Sequence, residues 1–198
     1  IERSLELTAQ QSDAEARNHA VGTGIRAYID LLRGNAGAAL AGFDRALPVY
    51  RDRIGDVHDA TLAIRTNRAL ALSRLDRSAE ALAELRGIQA LKPDLSHWMV
   101  VSPKYALGVA ERLAGRPMAA WQLQREALAQ LQLGPRRHLP AMMILAELGL
   151  AAGAAGRRAE ATSALRESLE LHHLHHSGVT PLQREIERAL AGDTRTAR

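Results

Sequence analysis

The sequence predicts an all-α chain built as a solenoid of paired helices, and three observations carry that prediction. First, an eight-residue outline returns four times: R-G-N-A-G-A-A-L from Arg33, L-D-R-S-A-E-A-L from Leu75, A-G-R-P-M-A-A-W from Ala114 and A-G-R-R-A-E-A-T from Ala155. Aligned on Ala39, Ala81, Ala120 and Ala161, the copies lie 42, 39 and 41 residues apart, the period of stacked helix pairs. Second, Ala, Leu and Arg dominate while β-branched and aromatic residues are scarce, which favours helix over strand. Third, a small residue stands twelve positions before each anchoring Ala (Ala27, Ala69, Gly108, Gly149), as close packing within a helix pair requires.

In chain order, Ile1 to Leu7 (I-E-R-S-L-E-L) resembles Leu165 to Leu171 (L-R-E-S-L-E-L). The chain is therefore expected to open inside the second helix of an earlier repeat and to be part of a larger protein. Asp13 is the expected N-cap of a helix ending at Leu32, and Gly34 and Asn35 turn the chain into a second helix over Ala36–Arg51, which Pro48 should kink or shorten. The next pair is expected over His58–Arg74 and Ser78–Leu91, closed by Pro93. A third begins between Ser96 and Pro103, turns at Gly115 and resumes at Pro117, a residue suited to a first helical position, running to Gln132. The fourth covers Leu139–Ala154 and Arg158–Leu174. A last helix starts with Thr180 as N-cap, ends at Gly192, and carries an apolar stripe of Leu182, Ile186 and Leu190. The expected layout is one array over 1–192: a partial repeat 1–12, repeats 13–54, 55–94, 95–134 and 135–176, a capping helix 180–192, and a disordered tail 193–198.

The paired small positions, the G-[RN] turn in three of four copies and Pro93 resemble the tetratricopeptide repeat (TPR). A narrower likeness lies in the loops, where His58, His97 and His138 each precede the anchoring Ala by 23 residues, the first within G-D-V-H-D-A-T-L and followed by Asn67. This is similar to the longer kinesin light chain-type repeat, with G-x-x-H-P-x-[TV] and L-N-N-L-A motifs, found also in bacterial signalling proteins. Asp59 replaces the proline after the His, and Arg26, Arg68 and Asp30 stand where that repeat has apolar residues. The resemblance implies a right-handed α-α superhelix of about four helix pairs, a leading partial repeat and a C-terminal capping helix. It also implies a concave groove lined by first helices, with candidates Tyr28, Thr66, Asn67, Arg74, Tyr105, Arg112 and Glu147. Asn67 would hold a bound backbone, and Arg74 and Arg112 would take an acidic side chain or a C-terminal carboxylate.

No H-E-x-x-H, phosphate-binding glycine loop or G-x-S-x-G elbow is present, and the carboxylates alternate with Arg as on a solvated face. No catalysis and no cofactor are expected. With no Cys, disulfides, thiolate metal sites and a cysteine nucleophile are excluded. H-H-L-H-H places His172 and His176 one helical turn apart, a weak candidate metal pair that lacks a third ligand. Six aromatics are too few for stacking on single-stranded RNA, and a net charge of +4 spread along the chain marks no nucleic-acid patch. Leu139 to Gly156 is apolar except for Glu147, but its Pro140, its Ala and Gly content and its register make it a solenoid helix rather than a membrane span. Trp121 is expected to fill a gap between repeats.

The expected role is a cytoplasmic, non-catalytic scaffold that binds a protein or peptide in its groove, as the C-terminal module of a larger bacterial signalling or regulatory protein. The Arg-rich, Lys-poor composition points to a GC-rich bacterial genome. The alternative is a ligand- or signal-peptide-sensing domain controlling an attached effector. Self-association through an uncapped N-terminal end is a further expected contact.

Overall fold

The computed structural model describes residues 2–91, 102–132, 138–175 and 180–195. Among them, helices pair in sequence: α1 (Glu2–Leu32) with α2 (Ala36–Ile54), α3 (Asp59–Arg74) with α4 (Ser78–Ala90), α5 (Pro103–Leu113) with α6 (Pro117–Gln132), and α7 (His138–Ala154) with α8 (Arg158–His175). The last helix is α9 (Pro181–Arg195). Each pair packs on the next, and the first helices α1, α3, α5 and α7 also meet one another along the array. No strand is present among the described residues. The fold class read from the repeat spacing is the one observed.

The four turns within pairs share one mechanism. Gly34, Asp76, Gly115 and Gly156 all have positive φ, between 60° and 84°. In each case the next residue's N–H donates to a carbonyl five residues back: Asn35 to Asp30, Arg77 to Leu72, Arg116 to Glu111 and Arg157 to Ala152. This left-handed stop satisfies carbonyls that a helix end would leave orphaned. Glycine adopts it freely, whereas Asp76 carries a Cβ that opposes it. Asp76→Gly is therefore expected to raise the unfolding free energy by about 1 kcal/mol, read as a shift in the urea midpoint at unchanged slope.

The anchoring alanines form the spine. Ala39, Ala81 and Ala120 are fully buried and Ala161 nearly so, as are Ala27 and Ala69. In the first pair the small residue that Ala27 meets is Gly42, three residues beyond the anchoring Ala39, where an added Cβ would lie 2.6 Å from that of Ala27. A Cβ on Gly108 would strike Gln124, and one on Gly149 would lie 2.5 Å from Leu165 and 3.0 Å from the Ala161 carbonyl. The glycines thus make room for a larger side chain one turn beyond the anchor. Phe43, Leu72 and Leu85 join Ala39 and Ala81 in the main apolar cluster, while Ala120 and Ala161 belong to a second, smaller one around Trp121.

Three boundaries differ from expectation. Asp13 starts no helix: α1 runs unbroken from Glu2 to Leu32. Pro48 does not stop α2, which reaches Ile54 and ends at Gly55 with φ 89°. An exposed proline costs that helix a single intrahelical bond, and flanking packing through Leu47 retains it. At the other end, α9 continues past Gly192 to Arg195. Pro93, His97 and Trp98 lie outside the described residues.

His58 acts as expected of a loop residue. Its Nδ1 accepts the Ala60 backbone N–H at 3.2 Å, capping α3. His138 opens α7.

Candidate functional site

Five of the seven groove candidates, on α1, α3, α5 and α7, lie near one another on the side where the first helices meet. Tyr105, on α5, is 2% exposed. Burial pushes its phenol well above the ordinary tyrosine range, and Glu147 on α7 adds to the rise, with Arg74 on α3, Tyr28 on α1 and Arg112 on its own helix also acting on it. Side chains from all four first helices therefore share one neighbourhood. Tyr28 is itself raised by burial, and Arg74 is exposed at the last turn of α3.

The tyrosines set a pH limit. A folded pKa above the unfolded value of about 10 means that nothing is lost below pH 10, and that stability falls as pH rises, because the unfolded chain then releases protons that the folded chain keeps. Each such tyrosine contributes a slope of at most about 1.4 kcal/mol per pH unit. Urea midpoints are expected to fall between pH 10 and 12, and Tyr105→Phe to flatten the decline.

Arg112 does not stand open to a ligand. Its Nε donates to Glu147 Oε2 at 2.8 Å and its Nη2 to Glu147 Oε1 at 3.2 Å, with Glu185 of α9 at 3.4 Å from the same Nη2. Glu147 is fully buried. Burial opposes the Arg112 charge, but the two carboxylates more than offset it and hold the guanidinium above its ordinary pKa. The acid that Arg112 was expected to take from a ligand is supplied by the chain itself.

Two other candidates are also inside. Thr66 is fully buried, and its hydroxyl donates to the Leu62 carbonyl of its own helix at 2.8 Å. Thr66 and Glu147 were expected on the groove surface; packing against neighbouring helices encloses both. Asn67 is 5% exposed, and its Oδ1 finds no hydrogen-bond partner among the described residues. A buried acceptor left so costs about 1–3 kcal/mol.

The surface has a resident that sequence reasoning placed only at the array's end. Helix α9 lays Leu182, Ile186, Ala189 and Leu190 against Ala146 and Leu150 of α7 and Leu165 and Leu169 of α8. Its middle meets Arg112 through Glu185. Its first residue, Pro181, lies against the α1–α2 turn, where a Cβ on Gly34 would sit 3.6 Å from the proline ring. The helix thus spans from the last pair back to the first. The signal available in the sequence was the stripe of Leu182, Ile186 and Leu190, which shows that α9 docks but not how far it reaches.

Trp121 joins repeats, as its position suggested. The indole is 7% exposed, its N–H donates to Glu160 at 3.0 Å, and the Arg157 and Arg125 guanidiniums lie 3.9 and 4.8 Å from the ring centre. His172 is 2% exposed within α8, and His176 lies outside the described residues. No group of three or more potential metal ligands occurs among the described residues, and no helix there is long and apolar enough to cross a membrane.

Paired helices stacked in sequence, with the first helices meeting along one face, define a TPR-like α-solenoid fold. The solved structures agree. The chain is similar to BtubC (BKLC) from P. vanneervenii, at 20% identity over 81% of this chain and 66% of that one, with a TM-score of 0.56. It is also similar to the nearly identical TPR-like repeats of a kinesin light chain from Podosopora anserina, at 18% identity over 90% of this chain and 87% of that one, with a TM-score of 0.60. The chain spans slightly less than two thirds of the length of BtubC. No protein-family model matches the chain, and no curated protein matches it.

Proposed function

We propose that the chain is a non-catalytic scaffold that binds a segment of another protein on the inner face of its first helices, as the interaction module of a larger cytoplasmic signalling or regulatory protein of bacterial origin. The observation that carries this reading is the exposed Arg74 at the end of α3, on the side where the first helices meet and in the neighbourhood of Tyr105 and the half-buried Tyr28. Buried aromatics beside exposed Arg make an anchor for a protein ligand with acidic character. A bound backbone would also offer donors toward Asn67, whose buried oxygen is unpaired.

The test is affinity capture on matched baits, wild type and Arg74→Glu, read by quantitative mass spectrometry. Arg74 is exposed, so its reversal leaves the core intact. A protein held by the wild type and reduced about ten-fold on the variant supports the reading; equal recovery on both baits overturns it.

A sensing role is the second reading, favoured by the contact of Pro181 with Gly34. A helix touching both the first and last pairs couples groove occupancy to the curvature of the array. It predicts a change in radius of gyration on ligand binding, measurable by solution scattering, whereas a rigid scaffold shows none. Self-association is favoured by Val21, Ile25, Ile29 and Leu32, which form an exposed apolar stripe on α1, each 37–46% accessible. Concentration-dependent mass that disappears in an Ile25→Glu, Ile29→Glu variant is the expected result, and a constant monomer mass contradicts it.

A further inference from the structure

Helix α1 exposes a face that the later first helices bury. Ile25 and Ile29 are 46% and 41% exposed. By the repeat intervals, Ile25 corresponds to Asn67, Ala106 and Glu147, and Ile29 to Ala71, Ala110 and Ala151. All six of those equivalents are buried, at 0–5% exposure. Helix α1 packs on α2 and α3 and still leaves these positions open. On α3, α5 and α7 it is therefore the preceding pair that covers them, through the contacts of α2 with α3, α4 with α5 and α6 with α7. Val21 and Leu32, 37% and 43% exposed, continue the stripe along α1. Beside it, a Cβ added to Gly22 would meet nothing within 4 Å, so another backbone can approach closely there.

A face of this kind is built to receive a helix with an apolar stripe of its own. Among the described residues, the exposed stripe that fits is the same one on α1, since Val57, Leu91 and Leu174 stand on separate elements. The other end of the array offers no matching seat: α9 packs on Leu150, Leu165 and Leu169 and exposes Arg184, Glu187 and Arg188. Resting on the reading that the chain self-associates, we propose that a second copy covers this face with its own α1, the two helices lying antiparallel about a two-fold axis between Val21 and Ile25. Val21 of each copy then meets Ile25 of the other, and the two Gly22 residues let the backbones close up. The contact removes both stripes from water. Being self-complementary, it also stops at two copies, where a head-to-tail contact would continue into a filament. A parallel pairing would set the exposed Arg26 and Arg33 of one copy beside the same residues of the other. The antiparallel one separates the two Arg33 side chains and opposes the helix dipoles.

The test combines analytical ultracentrifugation with cysteine cross-linking, which the absence of Cys from the chain makes specific. The full chain is expected to sediment with a doubled mass. A Gly22→Cys chain, treated with a short bismaleimide, should give a covalent dimer, because that residue lies next to the axis and faces its own copy. A Leu32→Cys chain should give less than about a tenth as much, since its two copies lie on the order of 27 Å apart along the helices at 1.5 Å per residue. Both positions are exposed, so neither substitution reaches the core. A doubled mass with cross-linking at Leu32 as strong as at Gly22, or at neither position, retains self-association and overturns the antiparallel pairing. A monomer mass overturns both. Neither result bears on ligand capture by the inner face, which Arg74→Glu tests separately.

Discussion

Replacing Arg112 with Ala is expected to cost about 3–5 kcal/mol of stability, because it strands a carboxylate inside the protein. Glu147 has a side-chain exposure of 1%, and the Arg112 guanidinium binds both of its oxygens. Removing the cation leaves a charge that water cannot reach. The cost comes from that stranding and not from the attraction alone. Replacing both residues with apolar side chains of similar volume, Arg112→Met with Glu147→Leu, should therefore recover most of the loss, and full recovery or a gain is within the range for buried pairs. Urea titration of the two single variants and the double variant checks this. A loss below about 1 kcal/mol for Arg112→Ala, the size of a surface ion pair, would show that Glu147 reaches solvent.

Trp121→Ala is expected to cost a similar amount, about 3–5 kcal/mol. The side chain comes from α6 and its partners, Arg157 and Glu160, from the turn into α8 and its first turn. The substitution removes the largest residue of the small cluster of Ala120, Ala151, Ala152 and Ala161. The remaining alanines are too small to collapse into the void. It also frees Glu160 from one of its donors. In a solenoid each repeat is held mainly by its neighbours, so the loss should be local. Amide exchange is expected to accelerate in α7, α8 and α9 more than in α1–α4, whereas a uniform acceleration would show that the array unfolds as one unit. Trp121→Phe retains most of the volume and should cost less than half as much.

Much of the fold was legible because it depends on local chemistry repeated at a fixed interval. The G-N and G-R pairs at Gly34, Gly115 and Gly156 announce a left-handed stop, and the D-R pair at Asp76 fits the same place. The repeat register places most helix ends within one or two residues of where they lie, the exceptions being the start of α1 and the ends of α2 and α9. The site was less legible, for two reasons. Glu147 sits in an otherwise apolar helix, and its partner lies 35 residues earlier, beyond any helical spacing that would betray a pair. The interleaving of Arg and Glu elsewhere marks exposed faces, as in the pairs Arg77–Glu80 and Arg157–Glu160, so Arg112 and Glu147 read as groove residues open to a ligand rather than as partners of each other. The reach of α9 depends on the summed curvature of four helix pairs. No residue in α9 encodes that curvature, and so its contact with Gly34 had no local sign. Likewise Thr66 was placed on the groove by register, but a threonine that bonds its own i−4 carbonyl needs no surface.

The proposed scaffold role puts a protein ligand on the inner face of the first helices. Hydrogen exchange of the free chain and of its complex with the captured partner tests this most directly. Slower exchange on binding is expected in the segments around Tyr28, Asn67 to Arg74, Tyr105 to Arg112 and Glu147. Protection confined to α2, α4, α6 and α8 would contradict it and move the binding surface to the outer face of the array.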